Sequence, residues 1–390
     1  MVEVVSHAGR TVPAGRPARA VIGAVTTAVA CVLPVFLIGG QAVQISAELR
    51  FDPAGLGLLV SAYFAVSALA SVPAGAMVER FGAARTARAA IILSAATLGG
   101  IATARSYPAL ASLLVAAGPA NTVGQLAANA SLAARVPPGR QGLSFGIKQS
   151  AIPLSTLLAG VAVPTVALTA GWRWTFVIAV GLAAGALLAV PPDGLARRAA
   201  PARGGRPPPG LVVLGTAAML AAGAAGAFST FLVDSAVAGG VAPGPAGLTL
   251  AGGGTVCIAV RLVAGWYADR RSGGYLSLVA AFLVVGSAGL ALLALPGPVA
   301  LGVGVGLGFG IGWAWPGLLN YAVVRLHPQA PAAATSVTQT GVYAGSCLGP
   351  LAFGTTAASA GYPTAWTGAA AAMLLGATLM WLSRRSPQPP

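Results

Sequence analysis

The chain has 390 residues, of which 56% are hydrophobic and only 7% charged. So few charges cannot cover a water-facing surface, so most of the surface must meet lipid. The net charge of +15 comes from arginines scattered singly between apolar runs, with no basic stripe and no interleaved aromatics to follow a phosphate backbone, which excludes nucleic acid as a partner.

The opening residues are polar and basic, and an apolar stretch follows from 20 to 40. It is too long for a secretory signal and lacks a cleavage site, so it reads as a retained first helix. Charge-free runs then cover 53–78, 89–104, 106–134, 149–172, 174–192, 207–233 and 235–260, each suited to one helix of about 20 residues. Two later runs, 272–324 and 326–383, are too long for a single crossing; Pro296-Gly297-Pro298 divides the first and Ala360-Gly361-Tyr362-Pro363 the second. The expected fold is all-α and integral to the membrane, with twelve transmembrane helices. The segment 191–208, rich in Pro, Gly and Arg, cannot form a core and reads as a linker between residues 1–190 and 209–390.

Orientation follows from the basic residues. With both termini cytoplasmic, only Arg50, Arg105 and Arg173 of the 22 lysines and arginines lie outside. A multi-pass protein of the inner membrane, functional as a monomer, is the expected setting. Cys31, Cys257 and Cys347 lie in apolar runs without CxxC spacing and read as small buried hydrophobes. The two histidines, His7 and His327, lie outside the spans, and no nucleophile cluster or carboxylate pair accompanies them. The expectation is no enzyme, no metal and no cofactor. A Walker-type GxxxxGK[ST] is absent, which argues against ATP-driven pumping.

The chain carries one internal repeat. Gly75-x-x-x-Glu79-Arg80 between the second and third helices returns 190 positions later as Gly265-x-x-x-Asp269-Arg270 between the eighth and ninth. With Gly82 and Arg85 after the first copy, and Gly171-Trp172-Arg173-Trp174 before the sixth helix, the chain resembles the major facilitator superfamily along its whole length. Glu79 stands where the family more often has aspartate, and Gly273 sits one position late in the second copy. The resemblance implies two pseudo-symmetric six-helix bundles facing each other across a cavity, with rocking that exposes the cavity to one side at a time. It also implies that Gly75, Glu79, Arg80, Arg85, Gly265, Asp269 and Arg270 gate the cytoplasmic side: the glycines let backbones approach, and the acids accept bonds from helix N-termini and arginines of the opposite bundle. The alternative is that these are topogenic loop charges alone.

Polar groups inside spans are costly and are the first candidates for a substrate path. Arg261 lies one turn before Gly265, a spacing similar to that of monocarboxylate transporters and the oxalate–formate exchanger, where such an arginine binds the substrate carboxylate. Lys148, the only lysine, falls two turns into the fifth helix. One cation in each half suits an anionic solute held between them; snorkelling to the headgroups is the alternative for both. Gly118, Asn121, Gln125 and Asn129 share one face of the fourth helix, and Thr335, Gln339, Tyr343 and Ser346 one face of the eleventh. Such a stripe faces either a cavity or another helix. Gln41 and Gln44 on the first helix, and Asn320 with Trp313 on the tenth, are further candidates. Asp234, near the outer end of the seventh helix, is the candidate proton-responsive group, with an interfacial, water-exposed residue as the alternative. The expected function is secondary transport of a small organic solute, an anion before a cation; efflux of a drug-like apolar compound is the rival, and a non-transporting sensor a third class.

Overall fold

The computed structural model describes residues 17–136, 141–192, 208–270, 273–327 and 331–384. Most of the expected linker, 193–207, lies outside the described residues. In lipid every backbone polar group must be satisfied within the chain, and the described residues accordingly form helices throughout. Buried hydroxyls bond back along their own helix: Thr27 donates to Gly23 O at 2.6 Å and Ser155 to Ala151 O at 2.9 Å.

Among the described residues the helices fall into twelve rods. The first, α1, is Pro17–Gly40 continued by Ala42–Leu49; α2 is Pro53–Leu69 continued by Ser71–Phe81; α3 is Ala83–Thr103 and α4 Tyr107–Arg135. Next, α5 joins Gln141–Gln149, Ala151–Ala162 and a wider turn at Val163–Ala167, and α6 is Trp172–Ala189. In the second half α7 is Pro209–Ala238, α8 Pro243–Asp269 and α9 Tyr275–Leu293. The tenth rod, α10, joins Pro298–Val305, a wider turn at Gly306–Ile311 and Trp315–Leu326; α11 is Pro331–Ala360 and α12 Tyr362–Ser383. Among the described residues ten of these rods are long and apolar enough to cross a membrane. The other two are α2, interrupted at Ala70, and α11, which carries the polar stripe from Thr335 to Ser346.

Several boundaries differ from those read off the charge-free runs, most at the eighth and fifth helices, and the third helix begins at Ala83 rather than 89. The eighth helix spans Pro243–Asp269 rather than 235–260, and the fifth begins at Gln141 rather than 149. Counting charge-free residues makes every ionised side chain a boundary, whereas Arg261 and Lys148 sit inside their helices with hydrogen-bond partners.

Within each half short connections make successive rods antiparallel, so the first copy of the repeated turn lies at the same end as the start of α1 and the second at the same end as the start of α7. Gly82 takes φ 87 between α2 and α3, a left-handed conformation that favours glycine. At the opposite end Gly171, at φ 97, starts α6. Here Arg173 donates to Glu48 Oε2 at 2.6 Å and to Ala104 O at 2.8 Å, while Trp172 Nε1 reaches the same carboxylate at 2.8 Å. This staple ties the ends of α1, α3 and α6, and it is the one ion pair among the described residues.

Small residues set the spacing of the rods, as expected where lipid removes the hydrophobic drive between helices. Within the second half, a Cβ on Gly289 would lie 2.6 Å from Gly308 Cα, and Gly223 of α7 packs on Gly345 and Gly349 of α11. Between the halves the same device closes the end away from the charged turns. A Cβ on Gly39 of α1 would lie 2.9 Å from Thr230 Cα of α7, and one on Gly254 of α8 would lie 2.7 Å from Pro153 O of α5. Ser61 of α2 donates across to Cys347 O of α11 at 2.5 Å. At the charged end, by contrast, a Cβ on Gly75 or Gly265 would meet nothing within 4 Å. The halves pack closely at one end, while the glycines of the repeated turn at the other stand clear of any neighbour.

Candidate functional site

The short helix Gln141–Gln149 carries Lys148 inward from the charged end, and the side chain is 3% exposed. Its Nζ donates to Gln125 Oε1 on α4, and to Gln149 Oε1 at 3.4 Å. Arg261 of α8 is 6% exposed. One of its terminal nitrogens donates to the Gln149 carbonyl of α5, and the other to the Trp313 carbonyl of α10 at 2.8 Å. Neither cation is exposed. Both are drawn into one chain of bonds, Gln125–Lys148–Gln149–Arg261–Trp313, that runs from the first half into the second.

All partners in that chain are neutral. No carboxylate reaches either cation among the described residues. Arg261 Nε, buried, has no acceptor at all. Two buried cations answered by amide and carbonyl oxygens and, at Arg261, by the Cys257 thiol, with no carboxylate, form a site of uncompensated positive charge, the arrangement that an anion relieves.

Further polar groups are buried without partners elsewhere. Gln41, fully buried near the helix interruption in α1, has both side-chain polar atoms unpaired, as does Gln44. Trp315 Nε1 is likewise buried without an acceptor. The Trp313 ring packs edge-on against Phe36 of α1 at 6.4 Å and lies tilted against Phe309 at 5.0 Å. Asn320, Gln339 and Tyr343 are half-buried.

The polar face of α4 divides. Gly118 and Asn121 face α2, where Asn121 donates to Ser67 Oγ at 3.4 Å and Thr122 to Ser67 O at 2.5 Å. Gln125, one turn on, faces Lys148. Tyr63 is fully buried and donates to Cys31 O at 3.2 Å, which makes it a packing residue. Asp234 accepts from Tyr362 Oη at the sealed end, beside Trp366 Nε1 donating to Ser235 at 2.8 Å.

The residues of the charged turns are solvent-facing in this arrangement. Glu79, Arg80 and Arg85 are exposed, and the Arg270 guanidinium lies 3.8 Å from the Trp266 ring centroid. The Asp269 side chain lies outside the described residues. Sequence reasoning passed over Gln149 and Glu48. Gln149 carried a signal: the residue four positions on is Pro153, which has no N–H to give its carbonyl. Glu48 carried none, because its partner is 125 positions away.

A family model described as Major Facilitator Superfamily matches residues 18–350. The chain belongs to that superfamily. Its members are membrane transporters, and the all-α membrane fold described above is theirs. A chloramphenicol resistance protein of Streptomyces lividans is 29% identical over 343 residues, covering 82% of this chain and 84% of that protein. Among solved structures, a bacterial homologue of the human lysosomal transporter Spinster, inward-facing and occupied, superposes with a TM-score of 0.75 at 16% identity, over 94% of this chain and 96% of that one. The same homologue inward-facing and unoccupied gives 0.70 at 15% identity, over 94% and 95%. At such identities the two structures speak for the fold.

Proposed function

We propose that this superfamily member is a secondary transporter of a small organic anion in the inner membrane, bound between Lys148 and Arg261 and exposed to the two sides in turn. The observation that carries the reading is the pair of buried cations, one from each half, without a carboxylate partner among the described residues. A guanidinium N–H left unpaired and an ammonium on two amide oxygens offer a carboxylate charge-assisted bonds that the protein itself does not supply. Gln125, Gln41, Asn320, Trp313, Gln339 and Tyr343 complete the proposed lining, with Asn121 behind them against α2. The charged end faces the cytoplasm, with both termini there and the bundles divided at 191–208. Gly75, Glu79, Arg80, Arg85, Gly265, Asp269 and Arg270 come together when that end closes. Asp234 is the group proposed for proton coupling, import or exchange the direction, and the monomer the working unit.

The test is counterflow in proteoliposomes over a panel of mono- and dicarboxylates. Lys148→Ala and Arg261→Ala each abolish the counterflow that the unaltered protein shows. Survival of anion transport in both variants sinks the site. A second reading, efflux of a neutral drug-like compound, is favoured by the relative that confers its name through chloramphenicol resistance. It predicts that expression raises the inhibitory concentration of such a compound in a susceptible host, and that Lys148→Ala leaves this protection intact.

A further inference from the structure

Arg261 serves the backbone in a way that binding a solute does not require. In an α-helix the Gln149 carbonyl would accept from the N–H four residues on, but that residue is Pro153. The helix stops at Gln149 and restarts at Ala151. Arg261 donates to this stranded carbonyl. Its other terminal nitrogen donates at 2.8 Å to Trp313 O, which lies in the interruption of α10 between Ile311 and Trp315. One guanidinium therefore stands in for missing backbone donors at two helix breaks, one in each half of the molecule. A planar fork can serve two separate acceptors at once, and the negative ends of the two helix fragments favour a cation there.

The position of the bond gives it a consequence. It continues, toward the charged end, the seam in which Gly254 of α8 lies against Pro153 and Leu157 of α5. We propose that Arg261 is a positioning residue: a cap on two broken helices that pins α5 to α8 and α10 and holds the bundles in the arrangement sealed away from the charged turns. This goes beyond the anion reading and does not depend on it, since the cap acts in the substrate-free protein.

The test is a double-mutant cycle on the purified, substrate-free full chain, read as apparent melting temperature. Arg261→Met strands the Gln149 carbonyl and lowers the midpoint by about 2–4 °C. In a Pro153→Ala background the new N–H at position 153 satisfies that carbonyl, and the same Arg261→Met change costs at most half as much. Equal losses in the two backgrounds overturn the proposal. Should Arg261→Met fail to fold, Arg261→Lys, which keeps the charge but offers no fork, goes through the same cycle with the same two outcomes. As a second measurement, spin labels replace Thr165 on α5 and Leu248 on α8, both exposed at the sealed end, with Cys31, Cys257 and Cys347 changed to alanine. Arg261→Met shifts the distance distribution to longer values; an unchanged distribution contradicts the cap. Neither readout uses an anion, so a failure of the transport proposal leaves both standing.

Discussion

A lysine or arginine at the centre of a membrane helix costs about 2.5–3.5 kcal/mol on insertion scales. Lys148 and Arg261 both stay buried, yet their partners differ in kind. Lys148 binds two side-chain amides, which can turn to other groups when the ammonium is removed. Arg261 binds two main-chain carbonyls, which cannot turn. Opposite outcomes follow: Lys148→Met raises the apparent melting temperature of the substrate-free protein, whereas Arg261→Met lowers it. The first change also removes the thermal stabilisation that a carboxylate panel gives the unaltered protein, a comparison that differential scanning fluorimetry can make directly.

Glu48 belongs to the same scale, beyond the apolar stretch Ala18–Gly40. The hydrogen bond from Arg173, then that from Trp172, holds its carboxyl below the usual carboxylate range. A lowered folded value means the contribution is fully present above the ordinary carboxylate pKa and is lost as pH falls through the folded value. The pair is half-exposed, so it is worth under about 1 kcal/mol. Glu48→Gln should flatten the acid limb of the melting-temperature profile and leave the neutral region within about a degree. An unaltered acid limb would show that the staple contributes nothing.

At the scale of the helices, small residues decide how closely the halves meet. On Gly160 of α5 a Cβ would lie 2.6 Å from Ala251 N of α8, and backbone cannot move aside as a flexible side chain does. Gly160→Val should therefore force the sealed end apart. Labelling of a cysteine at Ser229, buried where α7 meets Gly39 of α1, by a membrane-impermeant thiol reagent should rise several-fold in that variant. Gly75→Val is the control, because the space around Gly75 is empty here, and it should leave the labelling unchanged. Breaks in α5 and α10 belong to the same scale. They free carbonyls at the depth of the site, which an unbroken helix would keep for itself.

Across the whole molecule, the repeat places a charged turn on each half at the end away from the close glycine contacts between the halves. The exposed Glu79 makes no cross-bundle ion pair among the described residues, which is the condition expected of a latch when it is open. Glu79→Gln combined with Asp269→Asn should lower the maximal counterflow rate about tenfold with little change in half-saturating concentration, because the latch acts on the conformational step and not on the solute. A raised half-saturating concentration at unchanged maximal rate would place these acids at the solute instead.

Hydropathy and charge spacing by themselves determined that the chain is helical and membrane-bound. Each helix satisfies its own backbone, so its existence depends on a local run of apolar residues and on nothing remote. The repeated turn, two short strings 190 positions apart, was enough to point to the superfamily, and the rarity of charge was enough to single out Lys148 and Arg261. Only the tertiary structure decided what those two cations touch. The bond from Arg261 to Gln149 spans 112 positions and the one from Arg173 to Glu48 spans 125, separations over which no local pattern specifies a partner. It also decided that Asn121 faces α2 while Gln125, on the same stripe, faces Lys148, since a helix face is fixed by periodicity but its neighbour by packing.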